Sequence, residues 1–240
     1  MLARVFLRSL FLQASWNPRG MQNIGFAHAI TPALDELYPD RGQRAQALSR
    51  HLEFFNCHPY LAAAILGGAV RLEERVARGE ADPATVSAFK RALGPPFAAL
   101  GDGFFWLALR PAAALVAAIT EPHLGLWCIA IFLGLYDGVH VATRVWLFSA
   151  GYARGEGIVE AVGRAHLASG TGLIKACAAV LAGAIAARSV IAAGAGGRPF
   201  HALLVLCTIV ASAALLPRLR FAWAVYIALL LGLALGGGFF

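Results

Sequence analysis

The 240 residues are 59% apolar and only 14% charged, with a mean hydropathy of +0.68, whereas water-soluble domains run at about 45–50% apolar and about 25% charged. That balance excludes an ordinary soluble enzyme and calls for a lipid environment. The formal charge of +7 comes without an aromatic-interleaved basic stripe or a recognised binding module, which argues against nucleic acid as a partner; arginines flanking membrane segments account for it under the positive-inside rule.

Leu2 to Gln13 is apolar but broken by Arg4 and Arg8 on one helical face, with no small-x-small cleavage site after an uninterrupted apolar core. Residues 1–14 are therefore expected to form a basic amphipathic helix lying in the membrane surface. Trp16, Asn17 and Gln22 follow as a polar-aromatic cluster. The Trp16 ring is suited either to stacking on a sugar face or to anchoring at the membrane interface.

The next helix is expected to start near Arg41 and to show Leu48, His51, Leu52 and Phe55 on one apolar edge, closing near Cys57 because Pro59 disfavours helix before it. In this reading Glu53 and Asn56 share a helix face at a proline break. A carboxylate beside a carboxamide grips sugar hydroxyls, which offer donors and acceptors together; the alternative is an ion pair between Glu53 and Arg50 or Arg110. His51 and His58 have the chemistry to accept a phosphoryl group, yet no phosphate cradle accompanies them, and no phosphate-loop, nucleophile-elbow or zinc motif occurs in the chain.

Tyr60 to Val70 is apolar for too short a distance to cross a bilayer, and Arg71 to Lys90 reads as a charged connection in water. A second interrupted element begins at Gly94-Pro95-Pro96, passes Gly101-Asp102-Gly103 and continues from Phe104 to Thr120 across Arg110-Pro111. Breaks of this kind are expected of re-entrant hairpins and discontinuous helices, which build transporter sites. Asp102 in apolar surroundings is a candidate site residue or the ion-pair partner of Arg110. Asp137, His140 and Arg144 recur at helical spacing, as a satisfied internal network or as ligand contacts. An intramembrane enzyme built on Asp102, Asp137 and His140 has only this burial argument behind it.

Gly125 to Ala150, Gly172 to Ala187, Ala202 to Leu216 and Phe221 to Gly236 are candidate spans. Between the last two, Pro217 to Arg220 forms a basic hairpin that belongs on the cytoplasmic side, which places Arg188 to Pro199 and the C-terminus outside. The four cysteines, Cys57, Cys128, Cys177 and Cys207, show no CxxC pair or Cys/His cluster, so no disulfide, metal or cofactor is expected. The expected fold is an all-α integral membrane protein with about 3–5 transmembrane helices. It is a single domain over residues 1–240, with an interfacial helix at 1–14, a motif-bearing part at 15–160 and transmembrane helices at 161–240.

Ser15-Trp16-Asn17, Met21-Gln22-Asn23-x-Gly25-Phe26, Tyr38-Pro39, Arg50-His51-Leu52-Glu53-Phe54-Phe55-Asn56-x-x-Pro59, Gly94-Pro95, Gly101-Asp102, Phe105-Trp106, Arg110-Pro111 and Gly151-Tyr152-x-x-Gly155 occur in this order. In these pieces, over roughly residues 10–160, the chain resembles the IID component of the mannose/fructose/sorbose family of the bacterial sugar phosphotransferase system. The resemblance implies a multi-pass subunit of the bacterial inner membrane that pairs with a IIC subunit, the pairs forming a trimer. It implies elevator-like translocation of a hexose-type sugar, which a phosphorylated IIB protein, recharged by IIA, then phosphorylates. The IID chain itself carries no phosphoryl group and no catalytic nucleophile. The family's site residues carry over to Glu53 and Asn56, and further to His58, Trp16, Asn17, Gln22 and Asp102, with Arg110, Asp137, His140 and Arg144 as a polar network. Cys57-His58 stands where the family has Thr-Gln, Gly103 follows Asp102, and Leu107-Ala108 follows Trp106, which leaves the sugar open. These departures, with the short Arg188 to Pro199 loop, also fit a transport-inactive IID-like regulator or scaffold.

Overall fold

The computed structural model describes the backbone of residues 1–164 and 167–195, with side chains over 1–164, 170–185 and at 188. The expected spans Ala202 to Leu216 and Phe221 to Gly236, their basic hairpin and Cys207 lie outside the described residues. The chain divides into two compact units, Met1–Ala178 and Ala179–Phe240, and everything discussed below belongs to the first.

The described residues are helical, with two isolated bridges, Asn17 to Met21 and Met21 to Phe55. Helices α1 (Leu2–Ser9), α2 (Asn23–Leu37), α3 (Arg41–His51) and α4 (Ala62–Ala77) precede α5 (Pro83–Gly101), which continues through a π-helix (Asp102–Leu109) into α6 (Arg110–Leu124). Then come α7 (Trp127–Arg154), a 3-10 turn (Gly155–Gly157), α8 (Ile158–Arg164) and α9 (Leu167–Ala195).

An amphipathic α1 is formed over Leu2–Ser9, shorter than the expected 1–14, and its faces are assigned by contacts within the protein. Arg4 pairs with Glu36 and Arg8 donates to the His28 carbonyl, so the basic face is turned onto α2. Leu7, Leu10 and Phe11 are left on the outside. Asp40 caps α3 by accepting the Gln43 N–H at 2.9 Å, and Asp82 caps α5 through the Ala84 N–H at 2.7 Å, each satisfying a first-turn donor with no intrahelical partner.

The short apolar run from Ala62 to Val70 is the core of the unit, buried at every position. It packs on α7 at two glycines. A Cβ on Gly67 would strike the Phe148 carbonyl, and one on Gly151 would strike the Ala64 carbonyl. Small residues thus let the two backbones touch, the usual means of helix association where no hydrophobic effect drives it.

Pro83–Leu124 and Trp127–Arg164 are long and apolar enough to span a bilayer, at 42 and 38 residues. Only 17% and 11% of their most apolar windows are buried within the chain. The core helices of a soluble fold would be mostly buried, so these helices carry their apolar surface outward, as lipid-facing or partner-facing helices do. The interruption read at Gly101-Asp102-Gly103 takes the form of a π-helix inside a continuous helical column, not an unwound break. The charged Arg71 to Lys90 connection shrinks to the turn between Arg78 and Asp82, because the charges on either side complete α4 and open α5.

Candidate functional site

The helix expected to run from Arg41 to Cys57 stops at His51, and this corrects the placement of Glu53 and Asn56 on one helical face. From Leu52 the chain crosses the end of α2 as an extended ledge. Phe55 is 2% exposed and lies against Phe26, with ring centroids 4.6 Å apart. Its carbonyl accepts the Gln22 N–H at 2.9 Å, and its own N–H donates to Gly20 at 3.3 Å. The Gln22 side chain is buried and clasps one residue twice. Its Nε2 donates to the Cys57 carbonyl at 2.8 Å, and its Oε1 accepts the Cys57 N–H at 3.0 Å. Asn23 Nδ2 donates to the Leu52 carbonyl at 2.6 Å and Lys90 Nζ to the Arg50 carbonyl at 2.8 Å.

Fixed at these points, the ledge turns Glu53, Phe54 and Asn56 outward, and Phe54 is 61% exposed. A cavity of about 170 Å³ opens beside them, lined in part by Phe54, Asn56, Lys90 and Arg91. Glu53 pairs with Arg91 at 3.4 Å, not with Arg50 or Arg110. At that exposure the pair contributes about 0–1 kcal/mol, so the carboxylate is free to exchange its partner. The pairing of Met21 with Phe55 holds Met21 at φ 57°, a left-handed conformation costing a non-glycine residue on the order of 1–3 kcal/mol.

Under the ledge sits a buried clamp that the sequence did not reveal. Glu73, on the inner face of α4, accepts Arg50 Nε at 2.7 Å and Nη2 at 2.5 Å, His51 Nε2 at 2.8 Å and the Tyr38 hydroxyl at 2.7 Å. Burial alone would raise the Glu73 carboxyl, but its hydrogen bonds from Arg50 and His51 hold it down at about 2. Burial dominates at His51, pushing it down to about 4 despite the neighbouring carboxylate. The neutral ring therefore donates through Nε2 and leaves Nδ1 without a partner. Sealed from solvent, His51 positions the ledge and is out of reach of a phosphoryl donor.

The other expected residues fall into three groups. Asn17 builds the turn before α2, accepting the Gly20 N–H at 2.8 Å and donating to Asn23 Oδ1 at 3.1 Å. Trp16 is 54% exposed beside it. Asp102 is partly exposed at the start of the π-helix, with no ion pair to Arg110 among the described residues. Arg110 and Arg144 line a different cavity, of about 370 Å³, together with Tyr60, Trp106 and Tyr136, while His58 and His140 pack against the Tyr60 ring. His58 stacks on Phe105 at 5.2 Å and lies so close to Gly101 that any Cβ there would meet its ring. Asp137 and His140 approach to 3.2 Å, but Arg144 joins neither. Tyr60 and Tyr136, joined by a 3.1 Å hydroxyl contact, had no periodic signal of their own. Among the described residues no cluster of His, Cys, Asp and Glu could hold a metal ion.

The family model of the PTS system mannose/fructose/sorbose family IID component matches residues 1–195. The chain belongs to this IID family. The mannose-specific EIID component of Escherichia coli K12 is 41% identical over 165 residues, 68% of this chain and 58% of that protein. The fructose permease IID component of Bacillus subtilis 168 is 33% identical over 157 residues, covering 65% and 57%. The sorbose-specific EIID component of Klebsiella pneumoniae is 31% identical over 163 residues, covering 68% and 60%. The matched part thus spans less than two thirds of these IID proteins. Among solved structures, the cryo-EM complex of the mannose transporter ManYZ with microcin E492 superposes with a TM-score of 0.61 at 39% identity, covering 77% of this chain and 68% of that one. A second structure, of a membrane protein, gives 0.69 at 37% identity with the same coverage. Membership in the IID family agrees with the two long apolar helices that carry their apolar surface outward.

Proposed function

We propose that this chain is the IID subunit of a multi-pass inner-membrane permease that pairs with a IIC subunit, the pairs assembling as a trimer. The permease binds a hexose-type sugar and translocates it for phosphorylation by phospho-IIB, which IIA recharges. The observation that carries this reading is the ledge. A carboxylate, a carboxamide and an aromatic ring stand exposed on backbone that four attachments hold in place, and such preorganisation is what lets a few polar contacts select a sugar. The ledge is open on its outer side, so a site of useful affinity needs the partner subunit to close over it.

The test is uptake and phosphorylation of radiolabelled mannose, fructose, glucosamine and sorbose in cells lacking other sugar permeases, with this chain co-expressed with IIC, IIA and IIB. Glu53→Ala and Asn56→Ala are expected to abolish uptake while the membrane complex still co-purifies. Normal uptake by both variants would sink the proposal.

A further inference from the structure

The larger cavity carries an inference of its own, independent of which sugar the permease handles. Arg144, in the middle of α7, is 7% exposed. Taking a guanidinium out of water costs several kcal/mol unless a counter-charge or a full set of acceptors repays it. Among the described residues Arg144 has neither. Its Nη2 donates to the Ser9 and Pro59 carbonyls at 3.2 and 3.3 Å, both long, and its carbon lies 5.5 Å from the Tyr60 ring centroid. Its Nε is buried with no partner. Arg110 lines the same cavity and forms no hydrogen bond or ion pair among the described residues. Among the described residues no acidic side chain lines it. The nearest on α7, Asp137, is directed to His140. Tyr60 and Tyr136, which also line the cavity, share one hydroxyl hydrogen bond, which leaves the second hydroxyl proton unused by that bond.

We propose that this cavity binds a phosphate ester anion, held by the guanidinium groups of Arg144 and Arg110. The donor set argues for phosphate over a neutral sugar. Planar guanidinium forks match phosphate oxygens in pairs, and the charge of the ligand would offset a buried cation that nothing else neutralises. Two sources share that chemistry. Leu10 and Leu12 line the mouth just beyond α1, whose Leu7, Leu10 and Phe11 face outward, so a phospholipid could lay its chains there with its headgroup inside. A soluble sugar phosphate would enter the same pocket from water.

The test uses the intact permease, this chain with its partner membrane subunit, in nanodiscs. One arm compares phosphatidylcholine discs with and without phosphatidylglycerol and reads retained phosphatidylglycerol by native mass spectrometry. The other measures equilibrium binding of radiolabelled glucose 6-phosphate. Binding in either arm that weakens about tenfold or more in Arg144→Gln and in Arg110→Gln is expected, since a lost charged hydrogen bond is worth about that factor; the arm that responds names the source. If Arg144→Gln fails to fold, Arg110→Gln decides alone, because its side chain supports nothing else in the described structure. Absence of binding in both arms, or binding that Arg110→Gln leaves unchanged, would overturn the proposal.

Discussion

His51 and Glu73, 22 positions apart in the chain, meet through a 2.8 Å hydrogen bond in a place closed to water on both sides. The bond ties the end of α3 to the inner face of α4 and so fixes where the ledge begins.

This clamp makes the fold acid-sensitive. His51 lies ordinarily at 6.5 and is held at about 4, and Glu73 lies ordinarily at 4.5 and is held at about 2. Both groups bind fewer protons folded than unfolded, so each contributes stability that is complete above its ordinary value and is lost as the pH falls toward its folded one. The thermal midpoint of the purified complex is expected to be level between about pH 6.5 and pH 8, below the range where the buried Lys90 titrates, and to fall steadily below pH 6.5. Glu73→Ala, which strands the half-buried Arg50, should cost about 3 kcal/mol at neutral pH. A wild-type midpoint unchanged between pH 7 and 4 would contradict the clamp.

Gln22 acts through Cys57. Replacing it with Ala leaves a buried backbone N–H and C=O without partners, at a cost of about 1–3 kcal/mol. Uptake should fall as the ledge loosens, with the loss appearing in maximal rate and in apparent sugar affinity together. Gln22→Glu keeps the acceptor for the Cys57 N–H but sets a buried carboxylate oxygen against the Cys57 carbonyl, so it should be no milder than Gln22→Ala. If Gln22→Ala transports and melts like the wild type, the ledge is held by other means.

The contact between α4 and α7 depends on the absence of side chains. Gly67→Leu and Gly151→Leu are each expected to prevent recovery of folded complex from membranes, because the clash is with backbone carbonyls that cannot move aside. Gly138→Ala, where a Cβ meets nothing within 4 Å, is the matched control and should be recovered normally.

Phe54 exposes a large ring at the tip of the ledge, and none of the described residues covers it. Phe54→Asp should leave the subunit folded but reduce co-purification of the IIC partner about tenfold or more, the size of effect expected of an aromatic anchor. Unchanged pairing would mean that the ring faces sugar or solvent instead.

The helical character of the described residues and the IID family were readable from composition and motif. The conformation of the segment around His51 was not. Leu48, His51, Leu52 and Phe55 fall at helical spacing, yet Phe55 owes its burial to pairing with Met21 and contact with Phe26, partners some thirty residues away that periodicity cannot register. Glu73 was hidden for a related reason. Within Arg71-Leu72-Glu73-Glu74-Arg75 it looks like one more solvated charge, and only the convergence of Tyr38, Arg50 and His51 on it separates it from its neighbours. In the Asp137, His140 and Arg144 series the shared face was legible, but the break between the first two and Arg144 was not, because it depends on where Ser9 and Pro59 deliver their carbonyls.

The π-helical stretch bears on how force passes through the protein. Because α5 continues through it into α6 without unwinding, 42 residues form one helical column with a π-helical joint near the middle, an irregularity often found at functional sites. The arm beyond the joint is about 22 Å long at 1.5 Å per residue, so a bend of about 5° there would move its tip by about 2 Å. A small adjustment beside His58 and Gly101 would thereby be geared up to a displacement the size of a chemical group at the far end of α6.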